Sequence, residues 1–133
     1  MAWDIVYYMT PDGLVPAEEF LDGCLDKIEA KMQAVLSAVA AAPPPQFSGG
    51  GMWEAMHGTM TGYYEIRVSG PKREQFRLFC LLDRDGSGLP GPAIVVLTGM
   101  RKRWMTTFAE ADYRRVRALG DGYQASSPRR IAS

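Results

Sequence analysis

Three strand-like runs in the middle of the chain constrain its fold more than any other feature of the sequence. They cover residues 62–69, 74–82 and 93–98, and segments rich in glycine and proline separate them. The first two runs alternate with a period of two and are rich in aromatic and β-branched residues, which is typical of strands with one buried face. The third is apolar on both faces, as a central strand covered on each side would be. The chain is therefore organised around a sheet.

The segments before these runs predict one more strand and one long helix. Residues 3–9 alternate as a half-buried strand. Pro16, followed by two glutamates, marks a helix start, and apolar residues at helical spacing continue from 20 to 39, with Gly23 as the point where the helix could break. The prolines at 43–45 end it, because proline lacks the amide hydrogen that a continuing helix needs. We expect this amphipathic helix to cover one face of the sheet.

After the three runs, the sequence predicts a C-terminal helix and then a flexible tail. Residues 108–119 repeat apolar residues at helical spacing, and the Gly-Asp-Gly that follows should end the helix. The segment 52–57 suits either a short turn of helix or an extended lead-in to the first run. We predict one α+β domain over residues 1–123, with a small antiparallel or mixed sheet of about four strands, the long N-terminal helix and a C-terminal helix, and a tail over 124–133.

Charge is balanced over the whole chain but not along it. The chain has 15 Lys and Arg residues and 15 Asp and Glu residues, yet residues 1–98 carry 7 cations and 12 anions, whereas residues 99–133 carry 8 and 3. This asymmetry indicates a basic surface formed by the C-terminal part. A helix with a solvated arginine face and an arginine-containing tail would explain part of the same asymmetry without any ligand.

The cysteines and the histidine argue against a metal centre. Cys24 and Cys80 match neither a metal-ligand spacing nor a disulfide framework, and the chain has one histidine. We therefore expect no metal and no cofactor. No apolar run approaches the roughly twenty residues of a membrane span, and Asp4 stands where a signal peptide would have a cation. The sequence predicts a cytoplasmic protein with no membrane partner.

Two arginines mark the candidate functional site. If a loop at 71–73 joins the first two runs, Arg67 and Arg77 stand directly opposite each other on the face away from the long helix. Like charges so placed repel each other, and Lys102 with its neighbours adds charge at the end of the third run. This arrangement favours an anion-binding site. The alternative is a solvated charge network, because Glu65 lies on the same face and could pair with Arg77.

Three motifs occur in the order in which a known toxin family has them. They are Gly-Tyr-Tyr-Glu-Ile-Arg at 62–67, Phe-Arg-Leu-Phe at 76–79 and Gly-Met-Arg-Lys-Arg at 99–103. With the elements around them, over residues 3–123, the chain resembles the HigB branch of the RelE-like type II toxins, including its phage-derived relatives. The resemblance implies a RelE-like fold and a metal-independent endoribonuclease that cleaves messenger RNA, often on the ribosome. It also implies an antitoxin partner with a helix-turn-helix DNA-binding domain.

The resemblance further implies which side chains act. Arg67, Arg77 and Lys102 match the catalytic cations of the family. Guanidinium groups can stabilise the negative charge that builds on a phosphate when a ribose 2′-hydroxyl attacks it, and they need no metal to do so. Arg101 and Arg103, on either side of Lys102, would bind RNA next to the reacting phosphate.

Three further side chains allow two interpretations each. His57 stands where family members often have a lysine, and it is either a general acid or base or a loop histidine. Tyr63 and Trp104 could stack on bases, as aromatic side chains do in RNA sites, or pack against the helices. For the protein as a whole, the alternative to a nuclease is a non-catalytic partner-binding or RNA-binding protein on the same scaffold. We expect an acidic segment of any partner to cover the basic surface or displace the C-terminal helix.

Overall fold

A five-stranded mixed sheet forms the centre of the computed structural model, which describes residues 2–42 and 51–132. In chain order the strands are β1 (Asp4–Tyr7), β2 (Trp53–Ala55), β3 (Tyr64–Ser69), β4 (Gln75–Asp83) and β5 (Ala93–Lys102). Their order across the sheet is β1-β5-β4-β3-β2. Strand β1 runs parallel to β5, and every other neighbouring pair is antiparallel.

Three α-helices cover the two faces of this sheet in the described part of the chain. They are α1 (Pro16–Asp22), α2 (Asp26–Ala41) and α3 (Glu110–Ala125). Helices α1 and α2 lie on one face, called here the α2 side, and α3 lies on the other, called the α3 side. None of the helices in residues 2–42 and 51–132 combines the length and apolar character that a membrane crossing requires.

The alternation of the strands produces one hydrophobic core on each face. On the α2 side, inward residues of β3, β4 and β5 pack against the buried stripe of α2, which contains Ile28, Met32, Leu36 and Val39. On the α3 side, other residues of β4 and β5 pack against α3; this second core includes Phe79, Leu81, Val95, Leu97, Val116 and Tyr123. Strand β5 contributes to both cores and lies between β1 and β4, which confirms the predicted central strand.

The α+β class is confirmed, but the predicted number of about four strands is not. The described sheet has five strands rather than four, because residues 53–55 pair with β3. Trp53 is buried there and stacks on Tyr64 at a ring-centroid distance of 5.0 Å. A three-residue strand is too short to show a period of two, so the sequence pattern missed it.

The long N-terminal helix is also divided in two. Helix α1 ends at Asp22, and α2 begins at Asp26 after a break at Gly23. The break lets α1 pack on β5 while α2 packs on β3 and β1. Gly99 of β5 makes the close approach of α1 possible, because a side chain there would collide with the ring of Phe20.

The C-terminal helix is longer than predicted, and the residues after it are packed rather than free. Helix α3 continues through Gly120 and Gly122 to Ala125. A Cβ atom on Gly120 would meet the hydroxyl of Tyr63, and one on Gly122 would meet that of Tyr8. These glycines therefore serve close packing instead of ending the helix. Beyond α3, Ile131 forms an antiparallel bridge with Tyr8, so the segment predicted as a flexible tail is attached to the edge of the sheet.

A buried polar network holds this C-terminal segment in place. The carboxylate of Asp83 accepts a hydrogen bond from the Tyr123 hydroxyl at 2.6 Å and one from Nε of Arg129 at 3.1 Å. Burial alone would raise the pKa of Asp83, but these hydrogen bonds and the Arg129 charge bring it below its ordinary value. Burial and the hydrogen bond to Asp83 raise the pKa of Tyr123. The network thus joins the end of β4, α3 and the chain after α3.

We predict that Gly99→Ala will destabilise the protein by roughly 1–3 kcal/mol, because the added methyl group must displace the Phe20 ring. Urea unfolding would measure the change. Gly23→Ala is the matched control, because its backbone has φ −83° and the new methyl group would make only ordinary contacts. Phe20→Ala should recover part of the loss in the Gly99→Ala background. Equal effects of Gly99→Ala and Gly23→Ala would contradict this account of α1 docking.

We also predict that the Asp83 network makes stability depend on pH. The pKa of Asp83 is lowered in the folded state, so its contribution is present above the unfolded value of about 3.9 and is lost as pH falls through the folded value. Tyr123→Phe should cost about 1–2 kcal/mol at pH 7. It should also reduce the fall in stability between pH 5 and pH 2 that urea unfolding detects, and Asp83→Asn should reduce it further. An unchanged pH dependence in both variants would refute the assignment.

Candidate functional site

Three cations meet on the α3 side of the sheet, near the ends of the three central strands. Arg67 of β3 lies directly opposite Arg77 of β4, as the sequence predicted. The predicted turn is also confirmed, since the amide of Gly70 donates to the carbonyl of Glu74 at 2.7 Å. Lys102 of β5 pairs with Gln75, two residues before Arg77 on β4. Arg67, Arg77 and Lys102 are called the cationic cluster below.

The guanidinium of Arg77 is buried and held from several sides. Arg77 is only 5% exposed, and its Nε lies 3.3 Å from a carboxylate oxygen of Glu65. Its two terminal nitrogens donate to the carbonyl of Phe76 at 3.0 Å and to the side-chain oxygen of Gln75 at 3.4 Å. Burial, and then repulsion from Arg67, lower the pKa of Arg77, while Glu65 opposes both effects. The diagonal ion pair with Glu65 that the sequence allowed is therefore present, but repulsion between the arginines persists.

Lys102 belongs to the same electrostatic group. Burial, and then the charges of Arg77 and Arg67, lower the pKa of its ammonium, and Glu65 again opposes the shift. The Nζ atom lies 5.0 Å from the centre of the Phe108 ring, which stabilises a cation over its face. Lys102 is thus the cation of the cluster whose proton is most easily lost, because lysine has a far lower ordinary pKa than arginine.

Tyr113 of α3 borders the cationic cluster and was missed by sequence reasoning. Its ring packs edge-on against Phe79 and Phe108, at centroid distances of 6.2 and 5.9 Å. Burial, and then the nearby carboxylate of Glu65, raise the pKa of the phenol, and Arg77 partly offsets them. The phenol is therefore protonated at neutral pH and can donate a hydrogen bond. The spacing of three and four residues that relates it to Val116, Gly120 and Tyr123 could have shown that it lies on the inward face of the helix.

The sequence analysis placed the site on the face away from the long helix, which we expected to be open, but the α3 side of the sheet is covered. Helix α3 covers most of it and buries a second core. The cationic cluster lies at the margin of that core, where the side chains of Arg67 and Lys102 reach the surface and Arg77 does not. The cluster thus lies at the surface beside α3, and both arginines face away from α2 as predicted.

Two of the predicted site residues lie apart from the cationic cluster. His57 is exposed and begins a 3₁₀ turn (Gly58–Met60) after β2, beyond the Tyr64 end of β3. Its ring forms no hydrogen bond among residues 2–42 and 51–132, and it is not among the groups that shift the pKa of Arg77 or Lys102. Tyr63 is 8% exposed, and its hydroxyl donates to the carbonyl of Arg117 at 3.4 Å. It packs beneath α3, so the base-stacking interpretation of Tyr63 is wrong.

The basic run at 101–103 is divided between the two faces of the sheet. Successive strand residues point in opposite directions, so Arg101 lies on the α2 side although Lys102 lies on the α3 side. Arg101 is paired with Glu74 at 3.6 Å. Arg103 and Trp104 follow the strand, and the guanidinium of Arg73 lies 4.4 Å from the centre of the Trp104 ring. The sequence analysis had placed Arg101, Lys102 and Arg103 together as RNA contacts, with Trp104 as a candidate for base stacking.

The cationic cluster has the charge of an anion site. Two carboxylates lie on the same face as the three cations: Glu65, which is paired with Arg77, and Glu54, which stands opposite Glu65 on β2 and forms no ion pair with a cation of the cluster among the described residues. The acidic residues of the first turn of α3, Glu110 and Asp112, are paired with arginines of the same helix. The described residues contain no group of three or more His, Cys, Asp or Glu side chains that could hold a metal ion. An oxyanion with several acceptor oxygens is the ligand that this arrangement suits.

The chain matches no protein-family model, no curated protein and no solved structure.

We predict that two substitutions will shift the pKa of Lys102 in opposite directions. Glu65→Gln should lower it further, because the carboxylate stabilises the ammonium form, and Arg67→Ala should raise it, because Arg67 repels that form. An NMR titration of the Lys102 side chain would measure both shifts. Glu29→Gln, which removes a carboxylate from α2 on the other side of the sheet, should leave the titration unchanged. Shifts of the same sign would show that the three charges are not neighbours.

Proposed function

We propose that the cationic cluster binds the phosphodiester backbone of RNA and that the protein is a metal-independent endoribonuclease, the toxin of a toxin–antitoxin pair. The observation that carries the proposal is the direct opposition of Arg67 and Arg77, with Lys102 beside them and Glu65 paired with Arg77. The motif resemblance supports the same activity, and it is the source of the toxin assignment.

Stability alone does not account for this arrangement. Cross-strand neighbours contribute roughly 0.2–1 kcal/mol when their charges are opposite and cost a similar amount when they are alike. Burial of a guanidinium adds a desolvation cost that one carboxylate offsets only in part. A carboxylate in place of Arg67 would remove the repulsion. The presence of an arginine at position 67 instead supports a site in which an anionic ligand supplies the negative charge.

The rigid setting of Arg77 suits transition-state stabilisation. Its guanidinium is fixed by Glu65, a backbone carbonyl and Gln75, so its charge is already oriented before RNA binds. In the proposed reaction the 2′-oxygen bonds to phosphorus and the bond from phosphorus to the 5′-oxygen breaks. The products are a 2′,3′-cyclic phosphate and a 5′-hydroxyl. The charge that builds on the phosphoryl oxygens is stabilised by donors that need no reorganisation.

The reaction also requires that one proton leave the 2′-hydroxyl and that one join the 5′-oxygen. The phenol of Tyr113 is protonated at neutral pH and its raised pKa holds the proton firmly, so it can donate a hydrogen bond to the leaving oxygen, which takes its proton from water. Lys102, whose pKa is lowered, accepts the proton of the 2′-hydroxyl from its neutral amine form, and the ammonium that results then donates to the phosphate. We assign no proton transfer to His57, because it does not contribute to the electrostatics of the cluster.

A second function, RNA binding without cleavage, is favoured by the same position of His57. A cluster of cations without an imidazole binds phosphates but has weaker groups for proton transfer at neutral pH. The antitoxin with a helix-turn-helix domain and the use of ribosome-bound messenger RNA are also parts of the proposal that come from the resemblance. Cleavage assays with and without ribosomes would show whether the ribosome is required.

We predict that Arg67→Ala and Lys102→Ala will each reduce RNA cleavage about 10²–10³-fold, because each removes a donor that stabilises the reacting phosphate. The assay maps the new 5′-ends of a labelled messenger RNA, in EDTA without ribosomes to test metal independence and in Mg²⁺ with ribosomes, which need that ion to stay assembled. Arg77→Lys and Arg77→Ala should both lose activity, because lysine cannot reproduce the fixed fork of the guanidinium.

The matched control is Lys31→Ala, which removes an exposed cation from α2 on the other side of the sheet and should cleave normally. Circular dichroism melting would show that each variant is folded. Full activity in both Arg67→Ala and Lys102→Ala would remove the cluster from the active site. A wild-type protein that binds RNA in a salt-dependent manner but cleaves none would establish the non-catalytic alternative.

A further inference from the structure

A second surface lies on the α2 side of the sheet, across β5 from the cationic cluster. It is a groove of about 740 Å³ between the α1–α2 junction, the β3–β4 turn and the residues after β5. Its walls combine apolar and cationic side chains, among them Leu25, Lys72, Phe76, Arg101, Arg103 and Trp104.

Large apolar side chains are exposed to solvent in and beside the groove. Leu25 is 55% exposed and Trp104 is 51% exposed, and both line it. Met105, which follows Trp104, is 81% exposed. Exposed apolar residues that cluster in this way, with tryptophan and arginine among them, are typical of protein–protein contact sites.

The charge of the groove is positive. Lys72, Arg101 and Arg103 line it, and its single acidic lining residue, Glu74, is already paired with Arg101. Arg73 adds a further cation, since its guanidinium lies against the Trp104 ring. A ligand with carboxylate groups would therefore complete the charge balance of this surface.

The backbone around the groove is strained. Within residues 2–42 and 51–132, the non-glycine residues with positive φ are Lys72 at 57°, Arg73 at 60° and Met105 at 67°. Each costs roughly 1–2 kcal/mol relative to a right-handed conformation. Two of them form the β3–β4 turn at one side of the groove, and the third lies next to Trp104 at the other. Strain of this kind is concentrated at functional sites in proteins.

We propose that this groove is a docking site for an acidic, amphipathic segment of another protein. A bulky apolar side chain of that segment enters between Leu25, Phe76 and Trp104, and flanking carboxylates pair with Lys72 and Arg103. Protein is favoured over nucleic acid because the exposed side chain of Leu25 and the ring of Pro71 line the groove above the buried ring of Phe76, and none of the three offers a hydrogen bond to a base or sugar.

The docking site does not depend on the proposed nuclease function. Arg101 and Lys102 point to opposite faces of β5, so each surface can be altered while the other is intact. If no peptide binds the groove, the proposed role of the cationic cluster still stands. If the cluster proves inactive, the proposed docking site still stands.

Peptide display on the folded protein would test the proposal. A library of random peptides of twelve residues is selected on the wild type and counter-selected on Trp104→Ala. The enriched sequences are then synthesised with a fluorescent label and measured by fluorescence polarisation. We expect them to carry at least two acidic residues beside Leu, Phe or Trp. Their affinity should fall about tenfold or more in Trp104→Ala and in Arg103→Glu.

Arg67→Ala is the matched control, because it removes a cation from the opposite face and should bind the same peptides with unchanged affinity. Binding should also weaken as salt rises, and less steeply in Arg103→Glu. The proposal is overturned if no peptide is enriched, if enriched peptides are not acidic, or if they bind both groove variants as well as the wild type. Tighter binding of a single-stranded oligoribonucleotide than of any peptide, lost in Trp104→Ala, would instead assign the groove to RNA.

Discussion

The burial of β5 on both faces is the constraint from which the rest of this molecule follows. Its residues 94–97 alternate between the two cores, so that a helical layer is required on each side of the sheet. After Thr98 the same strand changes from apolar to charged residues while its pairing with β4 continues to Lys102. One strand therefore anchors the hydrophobic interior and then carries cations to both faces of the sheet at its end. The two proposed functional surfaces are consequences of that single change in composition.

The cationic cluster illustrates how the margin of a core can hold charge. Arg77 is close enough to the α3-side core to be desolvated, yet Glu65, Gln75 and a backbone carbonyl satisfy its donors. The ion pair with Glu65 does not neutralise the site, because Arg67 and Lys102 remain within electrostatic reach. The carboxylate of Glu65 orients the guanidinium of Arg77, and the positive charge that it does not neutralise can attract an anion.

The two surfaces differ in what surrounds their cations. The cationic cluster is bordered by aromatic rings that belong to the second core, and its polar groups are oriented by neighbouring side chains. The groove on the α2 side has exposed apolar walls and cations at its rim, with Trp104 covered on one face by Arg73. The first arrangement suits a small, highly charged group such as a phosphate, and the second suits a larger ligand that buries apolar surface. Because the two proposed surfaces lie on opposite faces of the sheet, a ligand on one does not block the other.

The sequence by itself determined the strands, their faces and the opposition of Arg67 and Arg77, because a period of two and a three-residue turn are local properties of the chain. It marked Gly23 as a place where the helix could break, but it did not determine the three-residue strand β2 or the length of α3, because these depend on what each segment packs against. Only the tertiary structure decided that Tyr63 is buried, that Tyr113 borders the cluster and that Arg101 and Lys102 serve different faces. Such contacts join residues far apart in the chain, and no local pattern encodes how a helix docks on a sheet.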